Sequence, residues 1–145
     1  MNTWRMNNRG VALVEFALIA LLFITLAIGI IDFGLLAKDY LTLGSAAREG
    51  ARAAALGGAK EEVIAAVRAS APTPNSTENP KVYMWYAEMG ANPDWRAYSS
   101  PDEIPPELAD VQVKVRAEYE CNRISGTFFG EDPITLSADE VMRKE

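Results

Sequence analysis

Arg9-Gly10-Val11-Ala12-Leu13-Val14-Glu15-Phe16-Ala17-Leu18 opens the stretch that decides the fold, and Gly29-Ile30-Ile31-Asp32 closes it. Val11 to Ile31 is 21 residues with one charge, Glu15, and Phe16–Ile31 is 16 uncharged residues in a row. A helix of about 20 apolar residues crosses the hydrocarbon of a bilayer, so this stretch meets the length if Glu15 is tolerated near one end. The run is apolar on every side, and a chain of 145 residues lacks the partners to bury such a helix in a soluble core. A secretory signal has a shorter apolar centre, about 7–15 residues, and a small-residue cleavage site. The pattern predicts a retained transmembrane helix.

Arg5 and Arg9 precede the run with no acidic partner, and the segment after it is mixed in charge. That asymmetry places the N-terminus in the cytoplasm and the rest of the chain on the other side. The expected division is a leader over 1–10, a membrane helix over 11–32, its extension over 33–58 and an external α+β domain over 59–145.

Glu15 is the residue that needs explaining. A charge at the middle of a membrane helix costs about 2.5–3.5 kcal/mol on insertion scales. One reading lets the carboxylate reach the headgroups. The other notes Gly10 immediately before the run. A cut after Gly10 would make Val11 the new N-terminus, and its ammonium would lie in the first helical turn near Glu15. Opposite charges in a poorly solvated place attract strongly and offset desolvation. Between neighbouring molecules the same pair would fix the axial register of packed helices.

The stretch Arg9–Leu18 resembles the processing site of type IV pilin-like proteins and is nearest to the TadE-like proteins of tight-adherence (Flp) pilus systems. Gly29-Ile30-Ile31-Asp32-Phe33-Gly34 resembles the segment that closes the TadE membrane helix. Ala46-Ala47-Arg48-Glu49-Gly50-Ala51-Arg52-Ala53-Ala54 is similar to that family's Ala-Arg-Glu-Gly-Ala-Arg signature, and the ending Met142-Arg143-Lys144-Glu145 has a familiar form. The resemblance implies a cut between Gly10 and Val11 by a prepilin peptidase, with Glu15-Phe16 as the family's glutamate–aromatic pair. It implies a minor pilin or pseudopilin in the bacterial cytoplasmic membrane, with other pilins, the pilus assembly platform and the lipid bilayer as partners. Loss of Arg5 and Arg9 would change the net side-chain charge from −6 to −8. One departure is the absence of a proline after the glutamate, around Ala20, which removes a kink that the family's helix often has.

Beyond Asp32 the helical pattern continues without proline to Leu56, and Gly57-Gly58 is a stop signal. A helix over Val11–Leu56 would be about 69 Å long at 1.5 Å per residue, with less than half of it in lipid. Arg48 and Arg52 are four apart and share one face, and Glu49 is within i,i+3 reach of Arg52. These three make either a solvated stripe or a charged contact with a partner subunit. Ala46, Ala47, Ala51, Ala53, Ala54 and Ala55 permit close approach of another helix or a sheet.

A second helix is expected over Ala59–Ala71, with Val63, Ile64, Val67 and Ala71 on one side. Ala71–Pro80 reads as a loop holding an Asn75-Ser76-Thr77 sequon. Lys81–Ala87 reads as a strand, and Gly90–Pro106 as a long loop in which Trp95 and Tyr98 either cap the core, the favoured reading, or form a contact surface. Asp110–Glu120 is the clearest strand, alternating Val111, Val113, Val115, Ala117 and Tyr119 with polar residues. Gly126–Pro133 reads as turn, and Ile134–Met142 as a weaker final strand. Three strands and two helices predict a helix packed on a small antiparallel sheet.

The totals narrow the function. The chain carries 14 Lys+Arg against 20 Asp+Glu and no long basic run, which argues against nucleic acid as a partner. With no histidine and one cysteine, Cys121, no zinc site, metal or cofactor is expected. No nucleophile elbow or phosphate loop is present, and the acidic pairs Asp102-Glu103 and Glu131-Asp132 read as solvated loop residues. The leading expectation is a structural assembly protein. The alternatives are an anchored binding module that keeps its leader, and a secreted enzyme released by signal peptidase.

Overall fold

The long helix predicted from the apolar run is present as one element. In the computed structural model α1 spans Asn8–Ala55, 48 residues, or about 72 Å at 1.5 Å per residue. The structure describes residues 8–71, 79–90, 92–106, 108, 110–130 and 132–144, with the side chains of all but residues 8, 9 and 127–129. The sequon at 75–77, Arg5 and Glu131 lie outside the described residues.

The stop at Gly57-Gly58 has the expected chemistry. Gly57 takes φ +83, its N–H donates to Ala54 O at 3.0 Å, and the Gly58 N–H donates to Ala53 O at 2.9 Å. These two bonds form a Schellman end, which satisfies carbonyls that the helix leaves orphaned. A Cβ on Gly58 would meet Ala53 O at 2.8 Å, so glycine is required there for space. The chain reverses into α2, Lys60–Ser70. The Glu62 carboxylate accepts from the Ala59 N–H at 3.3 Å, which is the half of a capping box open to a segment with alanine at the cap.

Four strands follow: β1 (Lys81–Glu88), β2 (Arg96–Ala97), β3 (Val111–Cys121) and β4 (Ile134–Arg143). They form one antiparallel sheet in the order β2-β1-β3-β4. The three strands expected from sequence are all there. β2 is a two-residue addition inside the stretch read as loop, and it forms because Trp85 and Tyr86 of β1 pair with Ala97 and Arg96. A second difference is α3, Ile124–Phe129, in the β3–β4 connection, part of which the sequence pattern presents as turn.

The alternation in β3 is complete. Val111, Val113, Val115, Ala117, Tyr119 and Cys121 are buried, while Gln112, Lys114, Arg116 and Glu118 are half-buried and Glu120 exposed. The buried set faces the helices. From α1 that core receives Leu43, Ala46, Ala47, Ala51, Ala54 and Ala55, and from α2 it receives Val63 and Val67. The alanines let the α1 backbone come close to the sheet. Closest is Gly50, where an added Cβ would lie 2.5 Å from Val67 Cγ2 and 3.2 Å from Val115 Cγ1.

Tyr98 and Trp95, both expected to cap the core, divide between the two sides of the sheet. Tyr98 is buried edge-on against Tyr86 at 5.8 Å between centroids. Its hydroxyl has no partner among the described residues, and burial pushes its pKa up to about 12. Trp95 instead lies beside Lys114 on the outer face, 5.5 Å from its ammonium.

Candidate functional site

Along its first half α1 is almost bare. From Gly10 to Ile31 every residue is exposed except the half-buried Ala20 and Ile28. Mean hydropathy reaches 2.8 over an 18-residue window of this helix, and none of that window is buried. The helix is therefore long and apolar enough to anchor the chain in a membrane, and it is bare over the required length. Gly10, Val11, Glu15 and Phe16 all lie on this segment and are exposed. Glu15 and Phe16 are adjacent and therefore point in different directions around the helix. A Cβ placed on Gly10 meets no described residue within 4 Å.

The apolar surface continues beyond the run that a bilayer needs. Phe33, Tyr40 and Leu41 are 75%, 55% and 70% exposed. Their spacing of seven and eight puts them on one face, and Gly44 and Arg48 extend that face by one and two further turns. The face is separate from the one formed by Leu43, Ala46, Ala47 and Gly50, which the sheet and α2 cover. Leu41 lies about 15 Å along the helix past Ile31.

Arg48, Glu49 and Arg52 are all exposed. Glu49 and Arg52, within i,i+3 reach of each other, form no ion pair among the described residues. Arg48 instead reaches across to the sheet, where its Nε lies 3.3 Å from Glu140 Oε1 of β4. That pair is exposed and contributes little on its own, but it turns Arg48 toward the groove between α1 and β4.

Two buried carboxylates on α1 mark where the domain joins the helix. Asp32, the residue that ends the apolar run, is buried. Its Oδ1 accepts from the Ile124 N–H and its Oδ2 from the Ser125 N–H, both at 2.8 Å. Both oxygens are thus engaged by the first turn of α3, whose amides would otherwise be orphaned. Two turns further, buried Asp39 lies 3.9 Å from the Cys121 thiol. The Tyr119 hydroxyl is buried in the same place without a well-formed hydrogen bond. Burial pushes the Cys121 thiol up, which suppresses the thiolate that reacts. Pairing of Cys121 with another molecule would require this part of the core to open.

The face of the sheet away from the helices is a cross-strand ladder of rings and charges. Tyr83 and Trp85 stack at 6.0 Å, and Lys114 and Arg116 each lie 5.6 Å from the Trp85 ring centre. Arg116 holds Asp139 of β4 at 2.5 and 2.7 Å, and Lys114 reaches it at 3.3 Å. The Arg116 hydrogen bonds, aided by Lys114, hold the Asp139 carboxyl below its usual range. A depressed acid stabilises the fold above its unfolded pKa of about 3.9 and loses that contribution as the pH falls through the folded value. Asp139→Asn is therefore expected to flatten part of the fall in melting temperature below about pH 4, by the equivalent of at most ~1 kcal/mol for so exposed a pair. Thermal melts of both chains from pH 7 to pH 2 check this.

Among the described residues no group of three or more His, Cys, Asp or Glu side chains is placed to hold a metal ion. What the fold presents is a set of surfaces, with the bare face of α1 the most extensive. Asp32 is the residue whose role the sequence reading missed. The one available signal was a carboxylate at the end of the apolar run with no basic residue nearby in sequence.

Comparison with known proteins agrees with this emphasis. No curated protein and no solved structure matches the chain significantly. The family model described as TadE-like protein matches residues 10–52. The match begins at Gly10, runs through the bare helix and the join at Asp32, and ends on the face carrying Arg48, Glu49 and Arg52. Over that segment, about three tenths of its length, the chain is similar to the TadE-like family.

Proposed function

We propose that this chain is a minor pilin or pseudopilin of a tight-adherence pilus system, cut after Gly10 by a prepilin peptidase and packed against other subunits through α1. The observation that carries the proposal is the apolar face of α1 beyond the membrane-length run. A helix that serves only as an anchor has no use for exposed Tyr40 and Leu41 well outside the hydrocarbon, where contiguous apolar surface marks an interaction site. A helix that packs against neighbouring helices uses that surface along its full length. The family match supports the pilus-system setting.

In this reading the domain faces the outside and the leader the cytoplasm. Small and apolar side chains on α1 make the subunit contact, Glu15 answers the Val11 ammonium of a neighbour or of its own chain, and Arg48, Glu49 and Arg52 lie at the outer end of the same helix. The chain is a substrate of the peptidase and has no catalytic role. The competing reading is an unprocessed, membrane-anchored binding module.

A photo-crosslinking residue at Leu41 in piliated cells discriminates the two. Crosslinks to another pilus subunit are expected, and Leu41→Glu should reduce assembly with the domain's melting temperature unchanged. If Leu41 crosslinks to no pilus protein and Leu41→Glu assembles normally, the helix is only an anchor.

A further inference from the structure

Asp32 fixes more than the join between helix and domain. Val11–Ile31 is about 31 Å long as a helix, close to the ~30 Å hydrocarbon thickness of a bilayer. Asp32, one residue further, therefore stands at the membrane boundary when α1 spans. The first two amides of α3 sit 2.8 Å from its carboxylate, so α3 stands at that boundary too. The strand register gives the same placement. Cys121 pairs with Ile134, so α3 lies in the connection at this end of the sheet, while Glu88, Val111 and Arg143 mark the opposite end.

The composition suits the place. Ile-Ser-Gly-Thr-Phe-Phe contains no charge and three large apolar residues, and the Ile124 side chain is 40% exposed. Polar backbone groups in a poorly hydrated layer need internal partners. Asp32 supplies them to the first two amides of α3, and the Gly130 N–H closes the other end on Gly126 O at 2.9 Å. The same two bonds leave the Asp32 carboxylate with a donor on each oxygen, which lowers the cost of holding a charge beside lipid.

We propose that α3 is a lipid-contacting footplate: the helical turn Ile124–Phe129, welded to Asp32, rests in the boundary layer of the leaflet on the domain's side and fixes how the domain sits on the membrane. The proposal depends on α1 spanning the bilayer. It adds that the domain itself touches lipid at one defined turn, so the domain does not swing freely on its stalk.

Tryptophans added one at a time at three positions of the full chain, beside its own Trp4, Trp85 and Trp95, in bilayers with lipids brominated high on the acyl chain, test this. Fluorescence is read as the difference from the unaltered chain. Ile124 and Met89 are both substantially exposed, so tryptophan is accommodated at either, and Met89 is at the far end of the sheet, where its N–H bonds Asp110 O. Ile124→Trp is expected to lose intensity and shift to the blue, while Met89→Trp does neither. Leu22→Trp, within the bare helix, reports the span itself, using lipids brominated deeper in the chain. Quenching at Leu22→Trp without quenching at Ile124→Trp overturns the footplate and leaves the spanning helix intact. Quenching at neither overturns both, and equal quenching at Ile124→Trp and Met89→Trp overturns the defined orientation.

Discussion

Gly50→Val is expected to lower the melting temperature of the helix-and-sheet domain by about 10–20 °C, the shift that about 3 kcal/mol produces in a domain of this size. The cause is local. A Cβ at this position already comes within 2.5 Å of Val67 Cγ2 and 3.2 Å of Val115 Cγ1, and valine adds two methyl groups to it. α1, α2 and β3 meet at this point, and none can move without disturbing the others. Gly50→Ala is milder, because a helix-propensity gain of about 1 kcal/mol works against the displacement of Val67. The bare segment from Gly10 to Ile31 touches none of these residues, so both variants should enter the membrane fraction normally. Thermal melts in detergent, followed by the fluorescence of Trp85 and Trp95, measure the shift. An unchanged melting temperature for the valine variant would mean that α1 and α2 do not pack through this glycine.

Glu15→Leu is expected to act at the other end of the same helix with the opposite profile. Removing a charge from the apolar run favours insertion, and Gly10 remains available for cutting. Yet the carboxylate that would answer the Val11 ammonium is gone, so the amine enters a poorly solvated place without a partner. Incorporation into assembled pili should fall at least tenfold, the change that about 1.4 kcal/mol produces in an equilibrium, while membrane level and domain stability hold. Glu15→Asp keeps the charge and should recover part of the loss. Full assembly of the leucine variant would mean that Glu15 only reaches the headgroups. Sheared pili quantified against the membrane fraction give the ratio directly.

Elements whose signal lies in their own residues were legible in the sequence. The apolar run, the Gly57-Gly58 stop and the alternation of β3 each depend on local spacing, and each is found where the spacing puts it. The short elements were hidden because their causes are remote. α3 is held by a carboxylate 92 residues earlier in the chain, and β2 exists through its pairing with β1. The division of Trp95 and Tyr98 between two faces follows from that same pairing, which no local pattern reveals.

The residues of the proposed assembly surface carry a sequence signal of uneven strength. Gly10, Val11, Glu15 and Phe16 stand out because a glycine and a single carboxylate interrupt an otherwise uniform pattern. Arg48 stood out through its spacing to Arg52, but its observed partner, Glu140, is on the last strand. The exposed face through Phe33, Tyr40 and Leu41 could not be separated from the core face through Leu43 and Ala46 by sequence, since a helix in this region is apolar on both. Only the position of the sheet distinguishes them.

The N-terminus of the mature protein tests the assembly reading most directly. Intact mass and terminal sequencing of the membrane fraction, with the prepilin peptidase present, should find a chain beginning at Val11 in the wild type and an uncut chain in Gly10→Ala. A wild-type chain that keeps Met1 beside the peptidase would contradict it, for Glu15 would then have no ammonium to meet and α1 would be an anchor alone.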